Sequence, residues 1–186
     1  SATQLASLTP DQMKLFGVTA MSGLTTEQVA ALTTTQFAVL SATQISALST
    51  AGMSGLTVTQ LGKMTHTQFA ALASTQLGAL STTAVAALST TQIEALTTTQ
   101  IDGLGRMQIR ALETTQITAL STTQVASLDA TQVAALTGTE LTTLLPTQMA
   151  ALSSTQFGAL SASQIGTMTP TQIAALLPTQ LAGMTT

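Results

Sequence analysis

Apolar residues recur along this chain with a period of eight. With Ser1 as position 1, position 5 is Leu, Ile, Val, Met or Phe in all 23 successive octads, and position 8 is Leu in 19 of them. On a helix these two positions share a face, whereas on a strand they point to opposite faces of a sheet. A single long helix fails because eight residues overshoot two turns by about 80°, so the apolar stripe would spiral. Each octad therefore predicts its own short helix followed by a chain reversal, with positions 5 and 8 in the core.

Polar residues mark where each predicted helix begins. Position 1 is Ser, Thr or Asp in 17 octads, and position 4 is Gln or Glu in 20. This is the pattern of a capping box, in which the cap oxygen accepts from the N3 amide and the N3 side chain reaches back to the cap amide. All four prolines occupy position 2, the first helical position, where proline is preferred: Pro10, Pro146, Pro170 and Pro178.

One octad is too small to fold alone. Ordering eight residues costs roughly 8–16 kcal/mol, while burying two large side chains returns roughly 3–6 kcal/mol. Stacking against other octads must supply the rest, as in solenoid proteins. The sequence thus predicts an all-α solenoid of helices of one to two turns, one per octad. We expect two octads per superhelical turn, with three or four as alternatives.

The repeat extends over the whole chain, from residue 1 to residue 186, as 23 octads plus Thr185 and Thr186. No linker or shift in composition divides it, so we predict a single array. Neither end has the polar-faced terminal unit that solenoids normally need, so we expect an excerpt of a longer array. Gln is replaced at position 4 by Ala20, Gly52 and Ala84, at intervals of 32 residues, which we interpret as a trace of duplication.

The composition argues against several classes of partner. The chain has seven acids against four Lys and Arg, too few bases to neutralise a run of phosphates, so we expect no nucleic acid. Although the mean hydropathy is +0.43, Ser, Thr and Gln interrupt every octad, so we expect no membrane span.

Catalytic and metal-binding chemistry is also not expected. There is no Cys, and the single histidine, His66, falls at position 2, where we expect an exposed side chain without functional partners. The many hydroxyls are explained by helix caps and mostly lack a neighbouring base. We therefore expect no enzyme activity, no metal and no cofactor.

The octad at 105–112 is the least regular. Arg106, Met107 and Arg110 stand where Thr, Thr and Ala are usual, and Asp102 and Glu113 flank them at intervals of four and three residues. We favour a solvated ion-pair network here over a binding spot, although exposed pairs stabilise proteins little.

Threonines at positions 2 and 3 form the other candidate surface. Stacked octads would place these hydroxyls and methyls in a regular, nearly uncharged lattice for ice, a polysaccharide or another copy of the chain. The simpler interpretation, which we favour, is that they keep helix starts soluble. The residues considered are Thr90, Thr91, Thr98, Thr99, Thr122 and Thr123.

The octads STTQIEAL, TTTQFAVL and TPTQIAAL resemble octapeptide arrays of very large bacterial surface or secreted proteins that are often described as adhesin-like. The resemblance covers the whole chain. It implies an extracellular or cell-surface location and a structural spacer, stalk or adhesive role, and it brings no active-site residues. The alternative is a binding module that uses the threonine lattice.

Overall fold

The computed structural model describes residues 1–183, which form short helices joined by extended corners and contain no strand. Each octad contains one helix of four to six residues, so the predicted all-α fold class is confirmed. The chain divides into two compact units: unit 1 is Ser1–Gln92, and unit 2 begins at Ile93. None of the described helices is long and apolar enough to cross a membrane.

Unit 1 contains α1 (Ala2–Ala6), α2 (Pro10–Lys14), α3 (Val18–Ser22), α4 (Thr26–Ala30), α5 (Thr34–Ala38), α6 (Ala42–Ser46), α7 (Thr50–Ser54), α8 (Val58–Gly62), α9 (His66–Ala70), α10 (Ser74–Gly78) and α11 (Thr82–Ala86). The boundary between the units falls within α12 (Thr90–Ala95). Unit 2 continues with α13 (Thr98–Asp102), α14 (Arg106–Ile109), α15 (Thr114–Ala119), α16 (Thr122–Ser127), α17 (Ala130–Val133), α18 (Gly138–Thr143), α19 (Pro146–Ala150), α20 (Ser154–Gly158), α21 (Ala162–Thr167), α22 (Pro170–Ala174) and α23 (Pro178–Gly183).

Capping boxes start the helices at the predicted positions. At α8, the Thr57 hydroxyl accepts from the Gln60 amide at 3.2 Å, and Gln60 Oε1 accepts from the Thr57 amide at 2.9 Å. Where position 1 has no hydroxyl, the glutamine still makes its bond of the capping box. Oε1 of Gln76 and of Gln148 accepts a hydrogen bond from the main-chain amide three residues earlier. Glutamine is therefore the more constant half of the cap.

The corners between helices use two extended residues. Leu120, at position 8, has φ −63° and ψ 132°, and Ser121, the next cap, has φ −69° and ψ 160°. No described residue has positive φ. A corner of this kind needs no glycine, so position 8 is free to carry a large apolar side chain into the core.

The predicted core positions are buried. Position 5 is fully or almost fully buried in octad after octad, as at Met13, Phe37 and Ile117, and the position-8 leucines from Leu24 to Leu160 are at most 7% exposed. Leu8, Phe16 and Met64 in unit 1 are partly buried, and exposure is greatest toward the C-terminal end of unit 2, where Ile173 is 45% exposed. Positions 5 and 8 therefore form the core, as the periodicity predicted.

The prediction of two octads per superhelical turn is wrong. Within each unit, helices three apart in the chain pack together, as α4 does with α1 and α7, and α16 does with α13 and α19. The glutamine side chains that bond between coils donate to main-chain oxygens 28 to 31 residues earlier. One turn therefore takes between three and four octads, the alternative that the sequence left open. The physical reason is the geometry of the corner. Two extended residues without positive φ do not reverse the chain direction after each helix, so more than two helices are needed to complete a turn.

Candidate interaction surfaces

The glutamines at position 4 join successive coils. In Gln60, Nε2 donates to the main-chain oxygens of Val29 at 2.9 Å and Leu32 at 2.8 Å, while Oε1 holds the cap of its own helix. The same contacts recur through both units. We call this set the glutamine ladder; its Nε2 contacts to the preceding coil are made by Gln36, Gln44, Gln60, Gln68, Gln76, Gln92, Gln124, Gln132, Gln148, Gln156, Gln164, Gln172 and Gln180.

The glutamine ladder donates a hydrogen bond to a main-chain oxygen that has no partner within its own helix. The amide at position 8 donates to the position-5 oxygen, but the position-8 oxygen lies in the corner and receives its bond from the next coil, as Leu96 does from Gln124 at 2.8 Å. Sequence reasoning assigned Gln only to the cap. The available signal was the preference for Gln over Glu, since both cap a helix but only Gln has an amide to donate.

Glu140 interrupts the ladder in unit 2. It is 4% exposed and accepts from the Thr137 amide, so it keeps the cap. The neighbouring rungs donate to residues 31 and 28 earlier, so the matching oxygens for Glu140 belong to Ile109 and Leu112, to which a carboxylate cannot donate. Burial raises the pKa of Glu140, and the nearby Glu113 adds to the rise, while hydrogen bonds from Thr137 and the charge of Arg110 oppose it.

The six threonines singled out from the sequence are all exposed. Thr98 and Thr99 on α13 lie in the same file of stacked helices as Thr122 and Thr123 on α16. Thr90 and Thr91 lie on α12, whose start belongs to unit 1. The file continues through α19 and α22, so position 3 carries one exposed threonine on each of four stacked helices. We call Thr99, Thr123, Thr147 and Thr171 the threonine column.

The irregular octad at 105–112 keeps its buried side chains and changes its exposed ones. Gln108 and Ile109 are buried, whereas Arg106, Met107 and Arg110 are exposed, Met107 to 69%. The favoured ion-pair network does not form: within residues 1–183, neither arginine makes a salt bridge. The reason is geometric, since each flanking acid belongs to a different octad and the corners turn successive octads away from one another.

Some of the other charged groups make local contacts. Lys14 Nζ lies 2.8 Å from Asp11 on α2, and this hydrogen bond holds the pKa of Asp11 below its ordinary value. Hydrogen bonds from Thr131 and from the Gln132 amide lower the pKa of Asp129, which caps α17. His66 is exposed at the start of α9, as predicted. Residues 1–183 contain no cluster of His, Cys, Asp or Glu that could hold a metal ion.

The sequence was compared with known families. Two stretches, residues 69–106 and 107–138, match the model of the ALTTAQ repeat. The chain contains an octapeptide-like repeat array. The string ALTTTQ at residues 95–100 differs from the repeat's name by one letter, and it runs from position 7 of one octad through the corner to the Gln of the next. Neither the curated proteins nor the solved structures gave a match to the chain.

Proposed function

We propose that this array is a non-catalytic structural spacer of a bacterial cell-surface or secreted protein. The observation that carries the proposal is the glutamine ladder, which within each unit joins successive coils by recurring hydrogen bonds from Gln side chains to main-chain oxygens. Gln132 and Gln172, five octads apart, each donate to two main-chain oxygens at 2.7–2.9 Å. A solenoid whose units contact only their neighbours keeps its geometry as units are added, which is what a spacer requires. The location is supported by the resemblance of the octads to those of surface and secreted proteins.

The stiffness of unit 2 tests the spacer proposal. The chain has no Cys, so spin labels can be attached at Thr99→Cys paired with Thr147→Cys or with Thr171→Cys, all exposed positions of the threonine column. Helices packed about 9 Å apart predict label separations of about 18 and 27 Å, each with one narrow distribution in pulsed electron paramagnetic resonance. Distributions that spread over tens of ångströms, or separations that do not increase from the first pair to the second, would contradict a stiff spacer.

A second candidate function is favoured by the threonine column. Four exposed Thr side chains at one helix position, stacked in one file, present hydroxyls and methyls with no charge among them. Such a surface suits an ordered, uncharged partner such as ice or a neutral polysaccharide, or a second copy of the array.

The column is tested by charge substitution. Thr123→Lys with Thr147→Lys is expected to abolish inhibition of ice recrystallisation or retention on a neutral glycan array, because ammonium groups disrupt an uncharged lattice. Thr131→Lys with Thr155→Lys, at the same position on α17 and α20, is the control and should retain activity. Absence of activity in the unmodified chain would leave the spacer as the better-supported function.

A further inference from the structure

We propose that α14 forms one end of a binding groove for an acidic peptide segment of a partner protein. The groove lies within unit 2 and is lined at this end by Arg106, Met107, Arg110, Ala134 and Ala135, with a volume of about 350 Å³. A second recess of about 430 Å³ shares Arg110, Ala134 and Ala135 and continues toward α21. The two recesses form one path across successive coils.

The charge of the groove points to a carboxylate-bearing ligand. Arg106 and Arg110 are the two basic residues of unit 2, and both lie within one octad. They are one helical turn apart, so their side chains start about 6 Å from each other. Neither forms a salt bridge in the described residues. Guanidinium groups pair with carboxylates through two parallel hydrogen bonds, so two acidic side chains can bind here together.

The apolar lining favours a peptide over an acidic polysaccharide. Met107 is 69% exposed, and Ala134, Ala135 and Ala159 line the path beyond it. A thioether and methyl groups contact an aliphatic side chain well. The described lining contains no aromatic ring on which a sugar could stack. The peptide that best fits this lining has an apolar side chain that contacts Met107 and an acidic residue on each side of that apolar residue.

Methyl resonances provide a direct test on the intact chain. With ¹³C-methyl methionine labelling, a blocked Glu-Leu-Glu-Leu-Glu peptide is expected to shift the Met107 signal in a saturable manner. The fully buried Met13, Met21, Met53 and Met149 should not move, and they serve as internal controls. A Gln-Leu-Gln-Leu-Gln peptide should give at least about tenfold weaker binding, because it removes charge-assisted hydrogen bonds.

Two variants test whether peptide binding depends on these two arginines or on the net charge of the chain. Arg106→Gln with Arg110→Gln should weaken binding at least about tenfold, whereas Lys63→Gln, an exposed base in unit 1, should leave it unchanged. Circular dichroism confirms that each variant is folded. The proposal is overturned by an unmoved Met107 signal at millimolar peptide, by equal binding of the two peptides or of the arginine variant, or by tighter binding of an oligouronate than of the acidic peptide.

Discussion

Replacing Gly55 with Ala is expected to lower the free energy of unfolding by about 3 kcal/mol, because the new methyl group overlaps main-chain atoms of the coil beneath it. A Cβ at Gly55 would lie 2.0 Å from the Thr26 oxygen and 2.7 Å from its carbonyl carbon. Main-chain atoms cannot rotate away, so α4 and α7 would have to separate. Separation would also break the bond from the Thr26 hydroxyl to the Ala51 oxygen at 2.8 Å. Urea unfolding followed by circular dichroism measures the loss.

Gly23 provides a matched control. It has the same position 7, in the same string MSGL, but it lies in the first coil of unit 1, and a Cβ there would meet only main-chain oxygens at 3.7 and 3.8 Å. Gly23→Ala should therefore stabilise the fold by about 0.5 kcal/mol through the unfolded state. Similar losses in the two variants would show that the close approach at Thr26 is not the cause.

Replacing Glu140 with Gln is expected to raise the free energy of unfolding by about 1–3 kcal/mol at pH 7, because the amide adds donors for the oxygens of Ile109 and Leu112. It should also change the pH dependence. The pKa of Glu140 is raised in the folded chain above its ordinary value of 4.5, so its contribution to stability is complete below that value and is lost as pH rises through the folded pKa. The unmodified chain should therefore lose stability as pH rises above 4.5, and the variant should not.

Three other acids affect the pH dependence of stability in the opposite direction from Glu140. The pKa values of Asp11, Glu27 and Asp129 are lowered, so they stabilise the fold above their ordinary values and lose that contribution only as pH falls. Gln60→Glu provides the reciprocal test, because it places a carboxylate opposite the oxygens of Val29 and Leu32 and should introduce the same loss of stability with rising pH. Parallel pH profiles for the unmodified chain and the Glu140 variant would contradict this account.

Local structure followed from the residues of a single octad. The three-residue spacing of positions 5 and 8 located the core, and the Ser or Thr to Gln spacing located the helix starts, because both depend on contacts within about one helical turn. The exposure of His66 and of the position-3 threonines followed from the same helical geometry.

Contacts between coils did not follow from the octad. The sequence favoured two octads per turn and an ion-pair network at 105–112. The structure has three to four octads per turn, and within residues 1–183 neither arginine of that octad makes a salt bridge. It also brings Gly52 close to the coil beneath it, where an ideal Cβ would lie 3.1 Å from the Leu24 oxygen. The number of octads per turn and this close approach depend on which residues about 24 to 31 positions apart come together, and the surroundings of the arginines depend on the corners between adjacent octads.

By itself, then, the sequence determined that each octad is a short helix, that nearly all of these helices are capped, and that two apolar positions face the core, since the cap bonds and the spacing of positions 5 and 8 lie within one octad. Only the tertiary structure decided that Gln also bonds the coil beneath it, that Glu140 faces oxygens it cannot bond as a carboxylate, and that Gly55 cannot accept a methyl group. The corner angle sets which octads meet, and the extended backbone at positions 8 and 1 sets that angle.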